Sequence, residues 1–468
     1  MTKSQFRTKF YSTIQLGIAI PTSVIMLLLS FFVVPVSVHA QGHWPNWRGP
    51  DAEGATRATN LPLSWGEDQN IRWKTPLPAW AGSSPVIWDD HIFLTTPASK
   101  DEDAAEGDGI GRRLRRISME GPGGDKLYLL CISRKDGSLL WKKTLDKGNK
   151  LYGKHNMASP SPVTDGRHVW TMTGTGKLTC HDFDGEMKWQ RDLQKDYGKF
   201  GLYWGYAASP ILYKNSVIVS VLHGSESKDP SYLAAFDMKT GKTFWREERR
   251  TDAEKECPDA YTTPIIAKVN GKDAIIISGA DYVTAHDPST GKEIWRAGGL
   301  NPDKSPNYRI CGTPVSAGGL IIATSRERPV LALRRDGKGD VTTSNLAWKY
   351  DDKKAPDVPS VAFDGTYLYL LHDNGFLTCL KAADGSVAWG PERITGGPYS
   401  ASPLVGDGRV YVTNEDAVTT VFATGPEFKE LAKNKLDGGY TLSSFAVAQG
   451  ELFLRTQKYL YCITQQQH

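Results

Sequence analysis

The sequence predicts an all-β protein, an eight-bladed β-propeller of four-stranded antiparallel blades closed by an N-terminal strand. Three observations carry this. A short motif recurs along most of the chain, a Ser/Thr-Pro-apolar step opens most copies, and the last copy lacks an outer strand that a segment near the N-terminus resembles. Self-similarity at a period of about 40–55 residues marks a repeat architecture.

The motif is clearest in Leu233-Ala-Ala-Phe-Asp-Met-Lys-Thr-Gly-Lys-Thr-Phe-Trp245 and Val283-Thr-Ala-His-Asp-Pro-Ser-Thr-Gly-Lys-Glu-Ile-Trp295. Alternating apolar residues on either side of a Gly-containing turn have the period of two paired strands. Glycine supplies the positive φ such turns need. The small residue of the motif is Cys131, Cys180, Ala235, Ala285, Ala332, Cys379, Thr420 and Cys462, which gives eight copies. Its tryptophan is Trp141, Trp189, Trp245, Trp295, Trp348 and Trp389. The seventh copy lacks the tryptophan and carries Pro426-Glu-Phe-Lys-Glu-Leu431, which reads as more helical. The eighth ends without an outer strand, and Asn70-Ile-Arg-Trp73-Lys74 has the form of Glu293-Ile-Trp295-Arg296. An N-terminal strand in the last blade would remove two exposed sheet edges.

The opening steps are Ser84-Pro85, Ser161-Pro162, Ser209-Pro210, Thr263-Pro264, Thr313-Pro314 and Ser402-Pro403, with Val358-Pro359-Ser360-Val361 and Ser443-Ser444-Phe445 as degraded versions. Proline is tolerated at the first residue of a strand, where its missing N–H joins no ladder.

Three regions precede or interrupt the repeats. Residues 1–40 hold Lys3, Arg7 and Lys9, then an uncharged apolar stretch, then Val38-His39-Ala40. This is the pattern of an export signal. The stretch at 11–38 is long enough to span a bilayer, so cleavage after Ala40 and retention as an anchor are both compatible with it. Residues 41–69, with Trp44-Pro-Asn-Trp47-Arg48-Gly-Pro50 and Leu61-Pro-Leu-Ser-Trp65, are expected to form a strap whose aromatics cover apolar surface. The propeller occupies 70–468, with residues 98–125 as a solvated insertion running from acidic to basic (Asp101–Asp108, then Arg112–Arg116).

The net charge is +4 over 468 residues, and residues 1–40 contribute +3 of it. A nearly neutral propeller offers no footprint for nucleic acid. Four cysteines stand in for the small motif residue and read as buried hydrophobes. Cys257 and Cys311 lie elsewhere, and a bridge between them is compatible with an oxidising compartment. Asp182, Asp237 and Asp287 precede Gly-containing turns and are expected to bond the turn backbone. His181 and His286 read as structural strand residues. The spacing offers neither a metal site nor a catalytic constellation.

In a propeller the first strand of each blade lines the channel. Residues just before the opening steps should therefore gather at one mouth: Trp80, His155 with Asn156, Tyr203, Trp204 and Tyr206, Tyr261, Tyr308 with Arg309, Tyr399 and Tyr440. Aromatics with a few polar groups at a concave mouth are the chemistry of a ligand site. The alternative is that they plug the channel. Arg309 is the natural anion partner, and His155 and Asn156 are placed to hydrogen-bond a bound ring.

The Tyr282–Trp295 motif resembles the repeat of pyrroloquinoline-quinone-type (PQQ-like) propellers, and the likeness covers roughly residues 70–465. That resemblance implies two kinds of relative: quinone-dependent alcohol and sugar dehydrogenases, and non-enzymatic propellers such as the lipoprotein of the outer-membrane barrel-assembly machine. The Trp44–Pro50 opening and Lys154-His-Asn-Met-Ala-Ser-Pro160 resemble a third group, exported bacterial propellers outside both classes. The chain departs from the dehydrogenases in having no adjacent cysteines and no equivalent of their Asp, Glu and Asn around calcium. It also lacks the acylated cysteine of the lipoprotein. The expectation is an exported, non-enzymatic binding or scaffolding module, with a protein partner or a small polar ligand at the channel mouth. Its alternative is an oxidoreductase using pyrroloquinoline quinone and calcium on alcohols or sugars, with Arg309 meeting a cofactor carboxylate and Trp204 stacking on its ring.

Overall fold

A computed structural model describes residues 42–102, 121, 123–326 and 328–465. The segment read above as an export signal, and the central part of the insertion, lie outside the described residues. Eight four-stranded antiparallel blades follow one another. Blade 1 comprises Val86–Trp88, His91–Pro97, Leu127–Ser133 and Leu139–Asp146. Blades 2 to 7 run from an inner to an outer strand: Val163–Thr164 to Met187–Asp192, Ile211–Tyr213 to Thr243–Glu248, Ile265–Val269 to Glu293–Ala297, Val315–Ala317 to Leu346–Tyr350, Ala362–Phe363 to Val387–Arg393, and Leu404–Gly406 to Glu430–Lys435. Blade 8 has Ala446–Ala448, Glu451–Arg455 and Tyr459–Ile463, and its outer strand is Ile71–Pro76. Ile71 faces Ile463 and Pro76 faces Tyr459, so the N-terminal strand closes the ring as the sequence predicts.

The repeat pattern follows from how neighbouring blades dock. Outside blade 7 the small residue faces the tryptophan across the outer pair: Cys131 opposite Trp141, Ala235 opposite Trp245, Cys462 opposite Trp73. Each indole then donates to a carbonyl of the next blade. Trp73 reaches Arg134, Trp141 reaches Phe183, Trp189 reaches Met238, Trp245 reaches Pro288, Trp295 reaches Arg335, Trp348 reaches Ala382 and Trp389 reaches Gly425, all at 2.7–3.0 Å. The turn glycine lies beneath the ring. At Gly291 φ is +77°, and a Cβ there would fall 2.5 Å from the Trp245 ring.

The seventh blade corrects one expectation. Pro426–Leu431 is not helical: residues 426–429 are bend and coil, and Glu430–Lys435 is a strand paired to Val418–Ala423, with Lys433 opposite Thr420 where other blades place tryptophan. The strap serves this junction. Trp65 donates its amide to Asn434 on the blade 7 outer strand (3.0 Å) and packs between Tyr411 and Phe445. Further along the strap, Trp44 exchanges both backbone hydrogen bonds with Ile87 of blade 1, and Arg48 donates to the Val361 carbonyl at blade 6.

A second ring of bonds lies nearer the axis. The amide of each opening Ser or Thr donates to the hydroxyl of the next one: Ser84 to Ser161, Ser161 to Ser209, Ser209 to Thr263, Thr263 to Thr313, Thr313 to Ser360, Ser360 to Ser402, Ser402 to Ser444, and Ser444 back to Ser84, all at 2.9–3.0 Å. The hydroxyl, not the proline, is therefore what all eight blades share. Ser360 and Ser444, which look degraded by the proline criterion, are full members of the cycle.

The turn aspartates behave as expected: Asp287 accepts the amide and hydroxyl of Ser289, which holds its carboxyl below the usual range. All six cysteines are free thiols, so Cys257 and Cys311 are not bridged. Among the described residues no helix is long and apolar enough to cross a membrane.

Candidate functional site

One mouth of the channel opens into a cavity of about 370 Å³ above the hydroxyl ring, and Ser161, Ser209, Thr263, Ser402 and Ser444 of the ring form part of its wall. A two-residue ladder, Leu151–Tyr152 paired with His155–Asn156, carries Tyr152, Lys154 and His155 to the cavity. Trp204, Tyr261, Arg309 and Cys311 come from the segments before blades 3, 4 and 5, and Asp373 from blade 6. Trp47 of the strap also lines it. That corrects the expectation that the strap aromatics only cover apolar surface, which holds for the buried Trp44 and Trp65.

Of the predicted mouth residues, His155, Trp204, Tyr261 and Arg309 line the cavity; the other candidates do not. Trp80 and Tyr440 are buried against each other, with the Trp80 indole on the Gly121 carbonyl (2.8 Å). Asn156 is fully buried: its amide donates to the Trp80 carbonyl (2.8 Å) and its oxygen accepts from Ala158, so it fixes the base of the ladder. Tyr203 points to solvent, 38% exposed, beside Trp204. Tyr206 lies in the core between blades 2 and 3. Tyr308 donates its hydroxyl to Arg328, and Tyr399 donates its own to Thr395 (2.8 Å) from within the core. Neighbours in sequence separate here: Trp204 lines the cavity while Tyr203 is exposed and Tyr206 is in the core, and Arg309 lines it while Tyr308 bonds Arg328.

The cavity's two cationic side chains are paired. Lys154 meets Glu415 at 2.6 Å, and Ser400 donates to the same oxygen (2.6 Å). Arg309 lies 3.1 Å from Asp357 and 3.8 Å from Glu256, while Arg326 shares Asp357 at 3.9 Å. The Trp204 indole donates to Glu256 (2.8 Å), and the Tyr261 hydroxyl accepts the Trp204 amide (3.2 Å). Asp373 accepts the amides of Asp357 and Val358 on one oxygen. Burial, and then the charge of Asp357, push its carboxyl up to about 6. Burial pushes the Cys311 thiol up to about 12, away from nucleophilic character. His181 and His286 stand apart, buried in blades 2 and 4.

The family model described as outer membrane protein assembly factor BamB matches residues 126–351 and 337–426. The chain belongs to this PQQ-like propeller family. Among curated relatives, the quinohemoprotein alcohol dehydrogenase ADH-IIG of Pseudomonas putida is 36% identical over 121 residues, 24% of this chain and 15% of the relative. Methanol dehydrogenase [cytochrome c] subunit 1 of Methylorubrum extorquens is 38% identical over 79 residues, 15% of this chain and 12% of the relative. The chain therefore spans only a small fraction of the curated relatives it matches. Among solved structures, BamB from Moraxella catarrhalis superposes with TM-score 0.55 at 14% identity, covering 85% of this chain and 99% of that one. A europium-containing methanol dehydrogenase gives 0.65 at 12% identity, covering 91% and 98%. At such identities the PQQ-like likeness establishes the fold alone.

Proposed function

We propose that the chain is an exported, non-enzymatic propeller that binds a small polar ligand at one mouth of its channel. The pairing of charges around the cavity carries this reading. Lys154 and Arg309 are each engaged by a carboxylate of the protein, and Cys311 is held as a thiol. That leaves a walled, aromatic-rich pocket whose polar groups hold one another in place, which suits recognition. Export is supported by the sequence pattern of residues 1–40 and by a family description that names an outer membrane assembly factor.

The rival reading is a quinoprotein oxidoreductase, which the propeller shared with methanol and alcohol dehydrogenases brings forward. The residues present fit a calcium-borne quinone poorly. Among the described residues no group of three or more His, Cys, Asp or Glu is arranged to hold a metal ion. The carboxylates behind the wall, Glu256, Asp357 and Glu415, are drawn to Arg309 and Lys154, which leaves Asp373 as the one carboxylate lining the cavity. All six cysteines are free and none are adjacent in sequence.

The test is dye-linked oxidation of a panel of alcohols and sugars by purified protein incubated with pyrroloquinoline quinone and calcium. The expected outcome is no turnover above the protein-free control. Turnover that disappears in Arg309→Ala and Trp204→Ala would overturn the non-enzymatic reading.

A further inference from the structure

The cavity has a chemical bias beyond being a pocket. Four aromatic side chains line it: Trp47, Tyr152, Trp204 and Tyr261. The charged groups on or directly behind its wall are Lys154, Arg309 and Arg326 against Glu256, Asp357, Asp373 and Glu415. The cations are outnumbered, and both cations on the wall are already paired. Asp373 lines the cavity and gives one oxygen to two backbone amides, so the second oxygen has no such partner.

A polycarboxylate entering here would meet Asp373 and a guanidinium already neutralised. A cation gains from both features, because aromatic rings attract positive charge and a carboxylate in a partly desolvated pocket attracts it more strongly than in water. Building on the ligand-site reading above, we infer that the cavity takes a small organic ammonium ion, held among the rings of Trp47, Tyr152, Trp204 and Tyr261 and balanced by Asp373.

The test titrates the full chain, followed by calorimetry and tryptophan fluorescence, with choline and tetramethylammonium as cation probes. The controls are 3,3-dimethylbutanol, the uncharged isostere of choline, and pyrroloquinoline quinone as a polyanion. The expected result is saturable choline binding with the isostere weaker on the order of 10-fold. Asp373→Asn keeps an oxygen acceptor for the two amides, so it should weaken choline by a similar factor and leave isostere binding unchanged. Trp204→Phe should weaken both probes and alter the fluorescence response. Equal affinity for choline and its isostere, or an Asp373→Asn variant that binds choline as before, would overturn the inference. Quinone binding lost in Arg309→Ala, with no choline binding, would replace the cation by an anion and leave the cavity standing as a ligand site. No binding of any probe to protein with an intact melting transition would remove both.

Discussion

Replacing Ser360 by alanine removes one hydroxyl from the axial ring and nothing else of consequence. Ser360 is 1% exposed, and its Oγ accepts the amide of Thr313 at 3.0 Å, itself only 2% exposed. The amide of Ser360 still reaches Ser402 in the variant, because that bond uses backbone. The change therefore strands one buried N–H at a site closed by neighbouring blades. Leaving a buried donor unsatisfied costs about 1–3 kcal/mol, against roughly 1 kcal/mol for a hydrogen bond lost with both partners free to meet water. Ser360→Thr is the matched control, since Thr263 and Thr313 fill the same role elsewhere in the ring. The assay is the guanidinium midpoint of the two variants at constant denaturant slope, so that the shift reports stability alone. Alanine should lower the stability read from the midpoint by about 1–3 kcal/mol, and threonine, which keeps the acceptor, should lower it by less. An alanine variant as stable as the parent, or a threonine variant as weak as the alanine, would refute the view that the hydroxyl is what the opening step conserves across blades.

Gly291→Ala should destabilise by more than the roughly 1 kcal/mol of a left-handed residue, because its Cβ would also fall 2.5 Å from the Trp245 ring; thermal melting checks this. Trp189→Phe should cost about 1 kcal/mol beyond its packing loss, through the 2.9 Å bond to Met238, and Trp245→Phe should match it. Acid should act through His286, which burial, and then the charge of Arg249, hold at about 4 rather than the ordinary 6.5. The unfolded chain takes up a proton near 6.5 and the folded chain does not until about 4, so this group loses stability as pH falls through that window, by about 1.4 kcal/mol per unit. His286→Gln should flatten that slope in midpoint-versus-pH measurements. Asp373, raised to about 6, acts with the opposite sign as pH falls from 6 to its ordinary 3.8, so it is the difference between parent and variant that tests His286. Deleting residues 42–76 should expose the edge at Tyr459–Ile463 and convert a monodisperse species to oligomers in size-exclusion chromatography.

The blade count was legible because it follows from a local constraint repeated many times, and the closing strand because its sequence has the form of the other outer strands. A small residue opposite Trp245 and a glycine beneath its ring recur in blade after blade, and repetition lifts such a signal above chance. Blade 7 was misread because Pro426–Leu431 has helical composition while the partner strand Val418–Ala423 fixes an extended chain, so tertiary pairing overrides propensity. The site was only half legible for a different reason. Tyr308 and Arg309 are neighbours in sequence, yet Arg309 reaches the cavity and Tyr308 turns away to Arg328. Position along the chain assigns a residue to the mouth, but not the side to which it points. Trp47 and Asp373 escaped because neither precedes an opening step: one arrives on the strap and the other on a turn inside blade 6.

The two ends of the propeller meet in one strand pair, and its geometry has a mechanical consequence. Ile71 and Ile463 face each other at the same end of the pair, with Pro76 and Tyr459 at the other. Force drawing Ile71 away from Ile463 would load the bond nearest Ile71 first and the rest in turn, as a zipper opens, instead of shearing all of them together. Tension from the N-terminal side does not reach that pair directly. It must first strip Trp44 from Ile87 and Trp65 from Asn434, bonds spread over blades 1 and 7. The strap is thus a strain relief, taking up force upstream of the strand pair that closes the ring.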